Sequence, residues 1–178
     1  MLHDQPLINT LRLQIRPILE SDVGDLFEMD SDLEVHRFLE QSPLKEKNHQ
    51  LEIIRMIQEQ YRRLGIGRWA VVDRNTNECL GWAGLKKCLE PLNGYLEYYD
   101  LGYRLKRKHW GKGYATEACT TIIQYAFEEN IMNTIHGAVD LRNQASINVL
   151  EKLKFKFSNE FDLDGIQHGW YTLQKDQD

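Results

Sequence analysis

Two glycines, Gly111 and Gly113, lie just before the most strongly patterned helix of the sequence. A helix N-terminus presents unpaired backbone N–H groups and about half a positive charge, so it can bind an anion that reaches the backbone. Glycine allows a close approach because it has no Cβ. Lys108 and Lys112 add positive charge beside the same turn. These residues therefore predict a binding site for a phosphate-like anion.

Two better-known phosphate patterns do not fit this turn. A dinucleotide fingerprint needs Gly or Ala three residues after Gly113, where the sequence has Thr116. A P-loop needs the pattern GxxxxGK[ST], which the sequence lacks. Taken alone, Gly-Lys-Gly also fits a flexible loop with a solvated basic face. We therefore expect neither a dinucleotide nor a P-loop nucleotide here.

A strand and a helix must position the turn. Residues 96–105 alternate in hydrophobicity and are rich in aromatic side chains, which predicts a strand. Apolar residues then recur at helical spacing from Ala115 to Phe127. A second strand, 135–139, is followed by a helix that Asn143 can cap. The predicted anion site thus lies between a strand and a helix N-terminus.

The remaining segments predict one α/β domain of the mixed α+β type, covering residues 1–178. The expected order is β-α-α-β-β-β-α-β-α-β-β, with no internal repeat or linker. The other strands are predicted at 11–15, 69–72, 80–85, 155–157 and 170–173, and the other helices after Ser21 and at about 47–64.

Composition excludes several classes of protein. The net charge of −5 disfavours a nucleic-acid partner and would attract a cationic substrate. No apolar run approaches the ~20 residues of a membrane span, and no signal peptide is recognisable, so we expect a cytoplasmic protein without a membrane partner. The three cysteines and six histidines show no paired metal-ligand spacing, so we predict no metal.

Three segments resemble the GNAT N-acetyltransferase superfamily, and most closely its Rim-type ribosomal-protein N-terminal acetyltransferases. The acetyl-CoA motif of that family is matched by Gly102-Tyr103-Arg104-Leu105 through Trp110-Gly111-Lys112-Gly113-Tyr114-Ala115-Thr116-Glu117-Ala118. Its strand–Asn–x–x–Ser–helix segment is matched by residues 139–153, and its first strand by residues 10–17. The resemblance implies a twisted, mostly antiparallel sheet, splayed between its fourth and fifth strands, with helices on both faces.

The resemblance also implies acetyl-CoA (coenzyme A) as the acyl donor. In such proteins the strand before the turn contacts the pantetheine arm and the acetyl carbonyl, and the backbone of the turn holds the pyrophosphate. The matching positions are Leu101, Gly102, Tyr103, Lys108, His109, Trp110, Gly111, Lys112, Gly113, Tyr114, Ala115, Asn143 and Ser146.

Two residues depart from the family pattern. Lys108 occupies a position that is usually Arg or Gln, and it loses the bidentate geometry of arginine. Lys154 replaces a usual glycine after the helix that Asn143 can cap, which puts the left-handed cap at the end of that helix in doubt.

Acetyl transfer to an amine requires a base for the amine, a stabilised oxyanion and an acid for the leaving thiolate. A backbone N–H of strand 96–105 could stabilise the oxyanion. For the base we favour Asp100 and then Glu97, which lie on the strand expected to flank the thioester. Residues 97 and 100 of a regular strand face opposite sides, so at most one should reach the site directly. Each carboxylate could instead be solvated on the outer face, or act through a water.

For the acid, the resemblance points to Ser146, with Asn143 contacting the pantetheine arm or an ordered water. A simpler interpretation is that Asn143 caps a helix and Ser146 is a first-turn hydroxyl. Tyr103 and Tyr114 are alternative acids.

The predicted activity is acetyl transfer from acetyl-CoA to an amine, by direct transfer in a ternary complex. The acceptor would be a protein N-terminal α-amine or a small-molecule amine, bound near segment 21–65 and loop 88–95. The alternative is a non-catalytic acyl-CoA-binding or sensing module on the same fold. We expect a monomer or a homodimer.

Overall fold

A computed structural model describes residues 5–39 and 42–176 of the chain. Eight strands form one sheet in the order β1-β2-β3-β4-β5-β6-β8-β7. They are β1 (Ile8–Asn9), β2 (Leu13–Pro17), β3 (Arg68–Asp73), β4 (Cys79–Cys88), β5 (Tyr98–Leu105), β6 (Thr134–Asp140), β7 (Lys156–Leu163) and β8 (Ile166–Gln174). The four α-helices are α1 (Val23–Asp30), α2 (Lys47–Leu64), α3 (Tyr114–Glu128) and α4 (Gln144–Lys152).

The mixed α/β fold with a mostly antiparallel sheet confirms the sequence prediction. Every neighbouring pair of strands is antiparallel except β5 and β6. Helix α2 has the predicted bounds and ends at Gly65, whose φ of 70° is left-handed. The short strand β1 was not predicted.

Two predicted boundaries are wrong. Ser21 does not cap α1, which begins at Val23 after a short 3-10 turn. The carboxylate of Asp22, the residue before that helix, accepts hydrogen bonds from Arg16 and from the backbone of Leu19. Strand β5 begins at Tyr98 rather than at residue 96, because Glu97 has a φ of 51° and interrupts the extended backbone.

The parallel strands β5 and β6 are joined by a single aligned pair, Asp100 with His136. Most of each strand lies beyond that pair and is not paired with the other. The sheet is therefore open between these strands, which correspond to the fourth and fifth strands of the sequence prediction.

Helices cover both faces of the sheet. Side chains alternate along β5, so Asp100 shares one face with its cross-strand neighbour Lys86, while Tyr103 lies on the other face. Helix α2 lines a cleft with Lys86, and α3 places Cys119 near Tyr103. Within the described residues, no helix is long and apolar enough to cross a membrane.

Lys154 adopts the left-handed conformation at the end of α4, which the absence of glycine had put in doubt. Its φ is 65°. Its N–H donates to the carbonyl of Glu151 at 2.9 Å, and the N–H of Phe155 donates to that of Leu150 at 3.0 Å. These two bonds form a Schellman motif, and Phe155 and Leu150 are both buried beside it. The motif forms without glycine, at a cost in backbone strain.

Candidate functional site

The glycine-rich turn connects β5 to α3 through a short 3-10 segment. Gly111 and Gly113 have φ values of 72° and 79°, which glycine adopts without strain. Gly113 is the N-cap of α3 and offers no side chain to the N–H groups of the first turn. A Cβ at Gly111 would meet no atom within 4 Å, so the space in front of this backbone is open. The backbone of the turn is therefore open to solvent, and the anion site remains a prediction.

Arg12, next to β2, fastens this turn to the sheet. Its Nη1 donates to the carbonyl of Lys112 at 2.9 Å, and its Nε donates to the Glu117 carboxylate at 2.7 Å. Glu117 also accepts hydrogen bonds from Thr10 and from the backbone of Arg12. Burial raises the pKa of Glu117, but these hydrogen bonds outweigh it and hold the pKa below its ordinary value.

The ion pair between Arg12 and Glu117 also affects the charge at the turn. A carboxylate in the first turn of a helix favours the helix dipole but repels a second anion bound there. Arg12 balances that charge. Sequence reasoning missed this pair, although an acidic residue beside a predicted anion site signals the need for a compensating cation.

The basic segment before the turn is largely neutralised. Lys106 is 2% exposed, and its Nζ lies 2.6 Å from Asp25, 2.9 Å from Glu28 and 2.9 Å from Glu78. Lys108 Nζ lies 3.0 Å from Glu28 and 2.8 Å from Glu78. These carboxylates gather around the buried charge of Lys106 and also draw in Lys108. The side chain of Lys108 is thus directed to the acidic cluster, and its backbone remains available to the turn.

Lys112 is the cation left at the turn, since its ammonium group forms no ion pair within residues 5–39 and 42–176. Three residues of the turn region carry aromatic rings, His109, Trp110 and Tyr114. Trp110 is 46% exposed, and its Nε1 donates to the carbonyl of Leu105 at 2.8 Å. The guanidinium of Arg12 lies 4.4 Å from the ring centre of Tyr114, and the ring of His109 packs edge-on against Tyr114.

Asp100 lies where β5 and β6 part. Its carboxyl group lies near the backbone N–H of Ala138 on β6. Burial raises the pKa of Asp100 from 3.8 to about 6, against the opposing effects of that N–H group and of the charges on Arg68 and Lys86. A base with a pKa near the working pH is suited to proton transfer.

Glu97, the other predicted base, is not brought to the opening. Its side chain is 61% exposed, and its Oε2 lies 3.5 Å from Nζ of Lys87. The left-handed backbone at Glu97 places it outside β5, so the alternation expected between residues 97 and 100 does not apply.

Two of the three candidate acids, Tyr103 and Ser146, lie close together on the other face of β5. The hydroxyl of Tyr103 donates to the backbone carbonyl of Ser146 at 3.1 Å. Asn143 caps α4, because its Oδ1 accepts the N–H of Ser146 at 3.2 Å. The simpler interpretation of Asn143 is therefore seen in the structure. Burial raises the pKa of the Tyr103 phenol, which keeps it protonated.

Three other residues of the predicted donor site are packed against their surroundings. Leu101 is 5% exposed and packs in the core. A Cβ on Gly102 would lie 3.2 Å from the ring of Trp82, so glycine makes room for that ring. Ala115, in the first turn of α3, is half-buried against the core.

A cleft of about 810 Å³ opens on the face that carries Asp100. Its walls include Met56 and Arg63 of α2, Lys86 and Cys88 of β4, and Tyr98 of β5. Lys86 is the cross-strand neighbour of Asp100, and Tyr98 precedes Asp100 by two residues on the same face. The cleft therefore reaches the immediate neighbours of the half-buried Asp100.

Known proteins resemble this chain in sequence. A family model described as "Acetyltransferase (GNAT) domain" matches residues 12–156. An uncharacterised N-acetyltransferase, p20, from Bacillus licheniformis is 31% identical over 147 residues, which cover 83% of this chain and 80% of that protein.

Solved structures share the fold at low identity. A GNAT-family acetyltransferase from Bacillus anthracis superposes with a TM-score of 0.81 at 19% identity, over 95% of this chain and 98% of the other. RimL, described as a ribosomal L7/L12 alpha-N-protein acetyltransferase in complex with coenzyme A, gives a TM-score of 0.80 at 16% identity, over 95% and 98%. With a family model that spans most of its length, the chain belongs to the GNAT acetyltransferase family.

Proposed function

We propose that this chain transfers the acetyl group of acetyl-CoA to a primary amine by direct attack in a ternary complex. The observation that carries the proposal is the position of Asp100. Its carboxyl group has a pKa of about 6 and lies at the opening of the sheet. The glycine turn follows the same strand, and the cleft reaches the neighbours of Asp100.

The donor would occupy the opening between β5 and β6. Family membership and the coenzyme A bound to the similar RimL structure support this choice of donor. The backbone from Lys108 to Gly113 and the first turn of α3 would hold the pyrophosphate, with Lys112 as a nearby cation. The pantetheine arm would then pass along Leu101, Gly102 and Tyr103.

The acceptor would enter through the cleft on the opposite face. Asp100 takes a proton from the amine, whose nitrogen then attacks the thioester carbonyl carbon. A C–N bond forms, the C–S bond breaks, and the leaving thiolate takes a proton from a hydroxyl group across β5. Tyr103 and Ser146 are the candidates for that hydroxyl, since both lie on the donor side. The products are an amide and free coenzyme A.

Direct transfer is favoured over an acyl-enzyme because the cysteines are poor nucleophiles. Cys79 and Cys119 are buried in the core, and Cys88 is half-buried. Burial raises the pKa of all three thiols, that of Cys79 to about 12. Thiolate is the reactive form, so none of these side chains is poised to accept an acetyl group at neutral pH.

Initial-rate kinetics and intact-mass spectrometry test this proposal. Thiol release should depend on an added amine, and double-reciprocal plots at several acceptor concentrations should intersect. Without an acceptor, acetyl-CoA should leave the mass of the protein unchanged. Stoichiometric acetylation of a cysteine would contradict direct transfer. Tight binding of acetyl-CoA with no acetylation of any amine, across small amines and peptide N-termini, would leave the binding-module alternative.

A further inference from the structure

Arg68 is a cation on the acceptor face of the sheet. It is the first residue of β3 and pairs with Gly84, which in turn pairs with Gly102 of β5. Arg68 therefore shares the face of Asp100, whose charge acts on it. Its guanidinium donates no hydrogen bond and forms no ion pair within the described part of the chain.

The neighbouring Arg104 shows the usual arrangement. Its Nη1 lies 2.7 Å from the buried carboxylate of Asp30, which satisfies its charge. Arg68 instead is half-buried, and its guanidinium lies 4.6 Å from the ring centre of Trp82. Burial and the charge of Arg104 lower the pKa of Arg68, yet arginine stays protonated in proteins. Its planar fork of N–H donors packs against that ring and has no acceptor among the described residues.

The cleft is lined by two other cations, Lys86 and Arg63, which form no ion pairs among the described residues. Lys86 is the closer to the reaction site, because it faces Asp100 across β4 and β5. Lys87 is paired with Glu97, and Glu59 with Arg62, while Glu90 lines the cleft without an ion pair among the described residues. Next to Asp100 itself, the two positive charges of Arg68 and Lys86 act on one carboxylate, so positive charge is in excess there, although the chain as a whole carries a net charge of −5.

We infer that the acceptor carries a carboxylate close to the amine that is acetylated, and that Arg68 and Lys86 bind this carboxylate while Asp100 faces the amine. The inference rests on the proposed function. The carboxylate could be the α-carboxylate of a free amino acid, or the side chain of an acidic residue at a peptide N-terminus. The shared chemistry is an anion held by a guanidinium fork and an ammonium group.

Matched acceptors test this inference. Tyrosine and tyramine differ only in the α-carboxylate, and peptides beginning Ser-Asp and Ser-Asn differ in side-chain charge. In at least one pair, kcat/KM for the carboxylate-bearing member should be higher by about tenfold to a hundredfold, the range of a charge-assisted hydrogen bond. The pair that shows the preference identifies the source of the carboxylate. Equal values in both pairs would overturn the inference.

Substitutions then assign the preference to residues. Arg68→Met and Lys86→Met should each bring the ratio of the two kcat/KM values towards one, while Arg68→Lys should keep part of it. Arg37→Met is the control, because Arg37 is exposed and lies outside the cleft. Coenzyme A affinity reports whether each variant is folded. If Arg68→Met does not fold, Lys86→Met provides the test. A ratio unchanged in Lys86→Met and in every folded Arg68 variant would overturn the assignment.

The result also separates this inference from the proposed function. If acceptors that lack the carboxylate were acetylated as fast as those that carry it, the inference would be contradicted and the proposed activity would stand. Failure to acetylate any amine would instead contradict the proposed function.

Discussion

The carboxyl group of Asp100 on β5 lies near the backbone N–H of Ala138 on β6, at the point where the sheet opens. Asp100 is thus a partly desolvated acid between the predicted donor site and the cleft. Its pKa rises only to about 6, because the N–H of Ala138 and the charges of Arg68 and Lys86 favour the charged form.

Replacing this acid should slow catalysis. In Asp100→Asn, kcat/KM should fall by about 10²- to 10³-fold, because the amine loses its base. In the wild type, kcat/KM should rise with pH and level off above about 6, and this limb should vanish in the variant. Glu97→Gln distinguishes the other carboxylate. That residue is exposed and paired with Lys87, so its substitution should change the rate less than about twofold. The opposite ranking would move the base to Glu97.

Asp100→Asn should also make the fold more stable. The pKa of Asp100 is 3.8 ordinarily and about 6 in the fold, so folding takes up a proton between these values. Stability therefore falls as pH rises through this window, and the deficit persists at higher pH. Asp100→Asn removes the charge, so at pH 7.5 it should raise the free energy of unfolding by roughly 1–2 kcal/mol. Urea unfolding at pH 7.5 and pH 4 measures the gain, which should shrink at pH 4.

Gly111→Leu should abolish tight binding of coenzyme A, with a loss of about 100-fold or more, because a side chain would fill the space open to the pyrophosphate. Gly165→Leu is a matched control, since Gly165 also has a positive φ and a Cβ added there would meet no atom within 4 Å. Both variants carry similar backbone strain. Calorimetric titration with coenzyme A should show the loss only for Gly111→Leu. Equal affinities would place the pyrophosphate elsewhere.

Lys154→Gly should stabilise the protein by about 0.5–1 kcal/mol, because glycine adopts the left-handed cap without strain. Lys152→Gly is the counterpart at the last residue of α4, where the backbone is helical and glycine should lower stability. Chemical denaturation of both variants shows whether the free energy of unfolding rises or falls in each. A loss of stability in Lys154→Gly would mean that the lysine side chain contributes more than its backbone strain costs.

Patterns in the sequence predicted the features that depend on neighbouring residues, such as helix caps and turns. Asn143 caps α4 because a side chain three residues from its partner needs no other element. The glycine turn and the period of α3 were recognisable for the same reason. The resemblance to a known family added the opening between β5 and β6.

Features that depend on distant residues could not be predicted in this way. The direction of Lys108 depends on carboxylates contributed by Glu28 and Glu78. Whether Arg68 has a partner depends on which strands and helices surround it. Such contacts follow from the tertiary arrangement, which side-chain type and spacing alone do not specify.

The hydrogen bond from Arg12 to Glu117 joins residues 105 positions apart in the sequence. Contacts of such long range form slowly, because a large loop must close before they contribute. During synthesis from the N-terminus, Arg12 leaves the ribosome long before Glu117. The glycine turn is thus completed only after most of the chain has been made, so coenzyme A binding at the proposed site would report late folding of this protein.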